Sequence, residues 1–168
     1  MPKNDARLQA ISWVYGEQFG FARAPSISEP EVTRNMALSL LAVAAGDGAL
    51  SDAEREWIAG YCAAKGYSDE IVAEIKSAAP PSGSEVKELM QLGVLKASAR
   101  ILLYDAIRAS SVDGYRPGEA AAVRAIAKAL DIDVSVVVEL EELVVAEEEL
   151  KQKRIRLLMP NGHPNLRK

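Results

Sequence analysis

The residues able to do chemistry in this chain are carboxylates. Its 168 residues include one cysteine and one histidine, against 24 Asp and Glu. A single Cys excludes an internal disulfide framework and a cysteine-cluster zinc site. A single His, His163, sits in a polar tail with no Ser or Cys in register, which excludes His-rich metal sites and a nucleophilic relay. The carboxylates have a pattern. When the chain is shifted by 66 residues, Asp47-Gly48 falls on Asp113-Gly114, and with one deletion in the loop Glu54 falls on Glu119. Asp105 lies eight residues before Asp113, close to two helical turns, so it points roughly the same way. Carboxylates gathered without lysine repel one another unless a cation bridges them, and hard oxygen ligands suit Ca²⁺, Mg²⁺ or Mn²⁺. The candidate ligands are therefore Asp47, Glu54, Asp105, Asp113 and Glu119, with Asp52 a weaker member. The same residues also have a purely structural account. Asp-Gly after a helix is good turn chemistry. Glu54 is the reciprocal capping partner of Ser51, and Glu119 is a favourable anion in a first helical turn.

The elements that must position these groups read as helices. The chain holds 27 alanines, and no stretch alternates for long in the manner of a strand. Helices are expected over about 6–19, from the Ser28 cap to about Ala45, from Ser51 to Gly66, and from Ser68 to Lys76. After a Pro80–Gly83 linker, further helices are expected over about 84–91, 95–111, 117–131 and 133–157. The uncharged apolar run from Asn35 to Gly46 is about a dozen residues, short of the roughly 20 that span a bilayer, and reads as a buried helix. The matched Asp-Gly loops, with Ile58 falling on Val123 and Ile75 on Leu140, suggest two copies of one unit, about 31–76 and 96–142. The expected architecture is an all-α single domain of about seven helices built from two pseudo-repeats. It would comprise an N-terminal helix and connector (1–27), the helical domain (28–157) and a flexible basic tail (158–168).

The segment Ala44-Ala45-Gly46-Asp47-Gly48-Ala49-Leu50-Ser51-Asp52-Ala53-Glu54 resembles the Asp-Gly…Ser-x-x-Glu signature of the TerB-like tellurite-resistance family. Tyr104 to Tyr115, which contains Asp105 and Asp113, is similar to that family's second acidic motif. The resemblance covers about Glu31 to Glu142. It implies an all-helical duplicated fold and an acidic surface for a divalent metal. It also implies a role in tolerance to tellurite and related stress, beside membrane-associated partners, with no catalytic activity. Gly46 and Val112 depart from the small Ala that the family favours before Asp-Gly, and Pro117 stands where the first loop has Ser51.

Other features carry less. Asp131, Asp133, Ser135 and Glu142 mimic a calcium-loop spacing, but Val136 stands where the sharp turn needs Gly, so Asp133 reads as a helix cap. Cys62 follows Ile58 by one turn and reads as a core residue. Trp13, Tyr15, Phe19 and Phe21 suit an N-terminal helix packed on the core, or a partner surface. The net charge of −4 and the 5% aromatic content argue against nucleic acid as partner. Residues 118–150 carry nine acidic and two basic side chains, and residues 151–168 carry six basic and none acidic. Lys151, Lys153, Arg154 and Arg156 beside Leu157 and Leu158 suit a peripheral contact with anionic lipid. The N-terminus lacks an apolar signal core, which fits a cytoplasmic protein. The expectation is a non-enzymatic protein whose acidic face holds a divalent cation and meets a protein partner. The alternatives are a metal-independent helical interaction module and a carboxylate-based hydrolase.

Overall fold

The computed structural model describes residues 4–21, 29–46, 48, 50–90, 95 and 97–162, and eight helices carry most of its regular structure. In chain order they are α1 (Asn4–Phe19), α2 (Pro30–Ala44), α3 (Asp52–Ala64), α4 (Asp69–Ser77), α5 (Gly83–Leu89), α6 (Ala99–Ser110), α7 (Pro117–Ala129) and α8 (Val134–Leu158). The domain is all-α as expected.

The helix starts follow local chemistry. Ser51 caps α3 through its hydroxyl, which accepts from the Glu54 amide at 3.1 Å, while Glu54 reaches back to the Ser51 amide at 2.7 Å. Ser68 accepts from the Ile71 amide to cap α4, and Asp133 accepts from the Ser135 amide at 2.8 Å to cap α8. Residues 131–142 are thus a helix start rather than a calcium loop. Pro117 opens α7, where its missing N–H costs nothing. Three boundaries differ from expectation, one being the start of α6 at Ala99, with Ser98 as N-cap, rather than at about Leu95. Helix α2 begins with Pro30 at its first position and Glu29 as N-cap, with no side-chain cap; Ser28 lies outside the described residues. Ser82 and Gly83, expected in the linker, instead form the N-cap and first residue of α5, because Glu85 accepts from the Ser82 amide at 2.7 Å.

The centre of the fold is the pair α2 and α6, which share the most extensive helix–helix contact. The apolar run of α2 is buried throughout from Ala37 to Ala44, as the sequence requires of a helix enclosed on most sides. Leu102, Leu103 and Ile107 of α6 are fully buried against it, joined by Ile58 of α3, Val123 of α7 and Val137 of α8. Helices α3 and α4 pack together on one flank, and α7 and α8 on the other. Cys62 is buried in this core, which pushes its thiol up to about 12, as suits a packing residue. No helix among the described residues is long and apolar enough to cross a membrane.

The backbone at Gly46, where α2 has just ended, approaches α7 closely. A Cβ at Gly46 would stand 2.1 Å from the Ala122 Cβ and 3.0 Å from the Val43 carbonyl oxygen. This contact explains the departure from Ala at position 46: the methyl group that fills the space comes from Ala122. Gly46→Ala is expected to lower stability by about 1–3 kcal/mol through overpacking. Adding Ala122→Gly should recover part of that loss, a non-additivity that denaturant titration of the single and double variants would read. Equal loss in both variants would place the strain elsewhere.

Candidate metal centre

Helices α2 and α6 end in equivalent ways. Each is followed by an Asp-Gly pair whose glycine takes a positive φ, +95° at Gly48 and +113° at Gly114. That conformation is strained for residues with a Cβ, so the recurrence of Gly at both positions has a backbone cause. The chain then enters α3 in one case and α7 in the other. Both helices carry a glutamate at their third position, and in both its Oε2 accepts from the N-cap amide: Ser51 N to Glu54 at 2.7 Å, and Arg116 N to Glu119 at 2.6 Å. Neither glutamate has any exposed surface. The positive end of each helix dipole favours a carboxylate there.

The two helix starts converge on Asp113. One carboxylate oxygen from each of Glu54, Asp113 and Glu119 lies within 4.8 Å of the others. Oxygens bound to one Ca²⁺ at 2.3–2.6 Å stand at most about 5 Å apart, so the three are within reach of a single ion. Asp113 lies at the mouth of the cluster, about one-third exposed. The Ser51 hydroxyl holds the Asp113 carboxyl below the usual range, and Arg116 adds to the effect. Ser51 thereby bears on both loops: its oxygen accepts from Glu54 N, and its hydroxyl favours the ionised form of Asp113. Arg116 stands beside the cluster, 3.2 Å from Asp113 and 3.4 Å from Glu119.

The test of fit for a cation is Glu54. Its Oε2 is occupied by the Ser51 amide, but its Oε1 is buried without a hydrogen-bond partner. A buried carboxylate oxygen left unpaired is costly. An ion shared with Asp113 and Glu119 would satisfy it, and the all-oxygen donor set suits Ca²⁺, Mg²⁺ or Mn²⁺. At full ionisation the three carboxylates and Arg116 carry a formal charge of −2, which a divalent cation would cancel.

The other expected ligands fare differently. Asp47 lies outside the described residues. Asp52 is exposed at the first position of α3 and does not join the three-carboxylate group. Asp105 does not join it either: it faces α1 and α3, where it accepts from the Tyr61 hydroxyl at 2.7 Å and from Gln18 Nε2 at 3.2 Å, with Arg108 4.0 Å away. Its alignment with Asp113 by helical turns holds only while α6 continues, and α6 ends at Ser110.

Sequence reading missed the setting of Asp105. Its companion is Lys65, the C-cap of α3, whose Nζ lies 3.9 Å from the Phe19 ring centre, 4.2 Å from Tyr15 and 4.9 Å from Tyr61. Such an aromatic enclosure favours a cation. Burial nonetheless lowers Lys65 to about 8, with Asp105 opposing that fall. Burial likewise raises Asp105 to about 6, against the hydrogen bonds and cations around it. Tyr15 and Phe19 thus help attach α1 to α3, while Trp13 stays two-thirds exposed. The signal available in the sequence was the one-turn spacing of Tyr61 and Lys65, together with the aromatic N-terminal helix.

Comparison with known proteins follows the fold. No protein-family model matches the chain, and no curated protein matches it. Among solved structures, the crystal structure of a tellurite resistance protein from Nostoc punctiforme superposes with a TM-score of 0.84 at 30% identity, covering 95% of this chain and 98% of that one.

Two outcomes are expected from this geometry. Ser51→Ala removes the side-chain cap of α3 and should cost about 1–2 kcal/mol in a denaturant melt. For Asp105 the folded value lies above the ordinary 3.8. Between about pH 4 and 6 the folded chain therefore holds a proton that the unfolded chain releases. That stabilising contribution is complete below about pH 4 and lost as pH rises through about 6. Asp105→Asn abolishes the titration, so the stability of wild type relative to the variant should rise on acidification from pH 7 to pH 4, by on the order of 2–3 kcal/mol. A flat difference across that range would contradict the buried, partly protonated carboxyl.

Proposed function

We propose, from the premise that this chain belongs to the TerB-like family of tellurite resistance proteins, that it is a non-enzymatic tellurite-resistance and stress-response protein whose acidic junction holds a divalent cation and presents a surface to a protein partner. The observation that carries the metal reading is the buried, unpartnered Oε1 of Glu54, a residue whose carboxylate converges with those of Asp113 and Glu119. Glu54, Asp113 and Glu119 would be the ligands. Ser51 would orient Asp113, and Arg116 would offset part of the negative charge. Asp113 is the exposed member, so ion exchange and partner contact would both occur at its side of the cluster. A cation held there ties α3 to the loop before α7, and so would set the relative position of the two helix starts that frame the surface.

A metal-independent interaction module is the second reading, and it has its own support. Arg116 already pairs with Asp113 and Glu119, and an internal guanidinium can neutralise carboxylates without an ion. A carboxylate-based hydrolase requires a substrate cleft around a reactive acid, and the Glu54–Asp113–Glu119 cluster is mostly buried behind its one exposed member.

Thermal melts in Ca²⁺, Mg²⁺ or Mn²⁺ against chelator separate the readings. A ligand of the folded state stabilises by RT ln(1 + [L]/Kd), about 2.7 kcal/mol at a hundredfold excess over Kd. At least one ion should raise the midpoint, and Glu54→Gln or Asp113→Asn should remove that response. Midpoints that none of the three ions moves would leave the Arg116-neutralised module as the function of this surface.

A further inference from the structure

The last helix extends past the body of the protein. Residues Val137 and Val144 of α8 are buried, but every residue from Val145 to Leu158 is exposed. Contact with the body fades after Glu147, which accepts from the Tyr104 hydroxyl at 2.8 Å. A stretch of 14 residues is near the lower limit of independent helix stability in water, so its conformation calls for further support.

Its surface has two regularities. Val136, Leu143, Leu150 and Leu157 recur at seven-residue intervals, the spacing of one of the two core positions of a helix-pairing seam, the other being held by Ala146 and Lys153. The three leucines are 46%, 61% and 72% exposed, in that order. Charge also changes sign at Leu150. Glu147, Glu148 and Glu149 precede it, and Lys151, Lys153, Arg154 and Arg156 follow it. Parallel alignment of two such helices would set the acidic turn beside an acidic turn and the basic turn beside a basic one. Antiparallel alignment sets each acidic turn against the basic turn of the other helix. With the leucines as the seam, the flanking positions then bring Glu147 beside Arg154 of the second copy, and Glu149 beside Arg156. Across the seam, Ala146 lies opposite Leu157 of the second copy, and Leu150 opposite the aliphatic stem of Lys153.

We propose that this face is a self-association surface, on which two copies of the chain pair antiparallel through the 143–158 segment of α8. The self-complementarity is what a closed two-fold interface requires, since one patch must supply both halves. The proposal is independent of the metal reading, because none of its residues belongs to the Glu54–Asp113–Glu119 cluster.

Sedimentation equilibrium of the full chain tests it, with charge-reversed variants. Wild type should dimerise in the micromolar range. Glu149→Arg sets like charges together at both symmetric contacts, and so does Arg156→Glu. Each alone should weaken the dimer about tenfold or more, while an equimolar mixture of the two should recover it as a mixed dimer. Orientation is read by oxidation of single-cysteine variants, since native Cys62 is buried. Ala146→Cys mixed with Leu157→Cys should cross-link as the mixed pair. A wild-type chain that stays monomeric at about 100 μM would overturn the proposal, and binding of that monomer to phosphatidylserine vesicles would assign the face to lipid instead. Failure of the charge-reversed mixture to recover the dimer, or cross-linking of Leu157→Cys chiefly to itself, would overturn the antiparallel pairing.

Discussion

Two glutamate side chains with no exposed surface set the terms for this structure. Glu54 and Glu119 are each buried completely at the start of a helix, and a buried carboxylate persists only where its oxygens are met. Each helix start meets one oxygen with its own N-cap amide. The other oxygen of Glu54 is left without a hydrogen-bond partner, that of Glu119 stands 3.4 Å from Arg116, and the two carboxylates come together with Asp113. From this constraint follow the effect of the Ser51 hydroxyl on Asp113, the position of Arg116, and the suitability of the junction for a cation. Capping and ligation are not competing accounts of these residues. A carboxylate that caps with one oxygen is held rigidly enough to present the other.

A second buried charge centre lies apart from the first and behaves differently. Asp105 and Lys65 sit among Tyr61, Gln18, Arg108 and the aromatic rings of α1. Burial moves both towards their neutral forms, Asp105 upward and Lys65 downward. Here the protein itself supplies the countercharge, the hydroxyl and the amide, so no ion is needed. The function of this centre is attachment: it joins α1 to α3 and α6 through contacts that a purely apolar interface would not orient.

What could be read from the sequence depended on how local its physical cause was. The caps at Ser51, Ser68 and Asp133 and the Pro117 start rest on residues within four positions of one another, and the structure has them all. The buried run of α2 follows from composition alone. The pairing of Glu54 with Glu119 was visible because the same local device recurs in both halves. Asp105 was misplaced for a non-local reason: its partners Gln18, Tyr61 and Lys65 come from other helices, and no spacing within α6 announces them. The close approach of Gly46 to Ala122 is equally non-local, so the departure at position 46 has a cause only once α7 is in place.

Helix α6 connects these features. Its fully buried leucines fill the core against α2. Asp105 on one side engages α1 and α3, and the neighbouring Tyr104 reaches Glu147 at the root of the α8 extension. Its C-terminus leads into the turn that carries Asp113. Arg108, on the same helix, lies over Trp57, Tyr61 and Tyr104 at 5.3–5.8 Å and 4.0 Å from Asp105. The acidic junction, the buried Asp105–Lys65 centre and the projecting helix are therefore attached to one rigid, enclosed element. A side chain that shifted α6 to improve one of them would disturb the other two. That gives a physical reason for the dense packing of α6: it keeps three charged regions with separate demands in fixed relation.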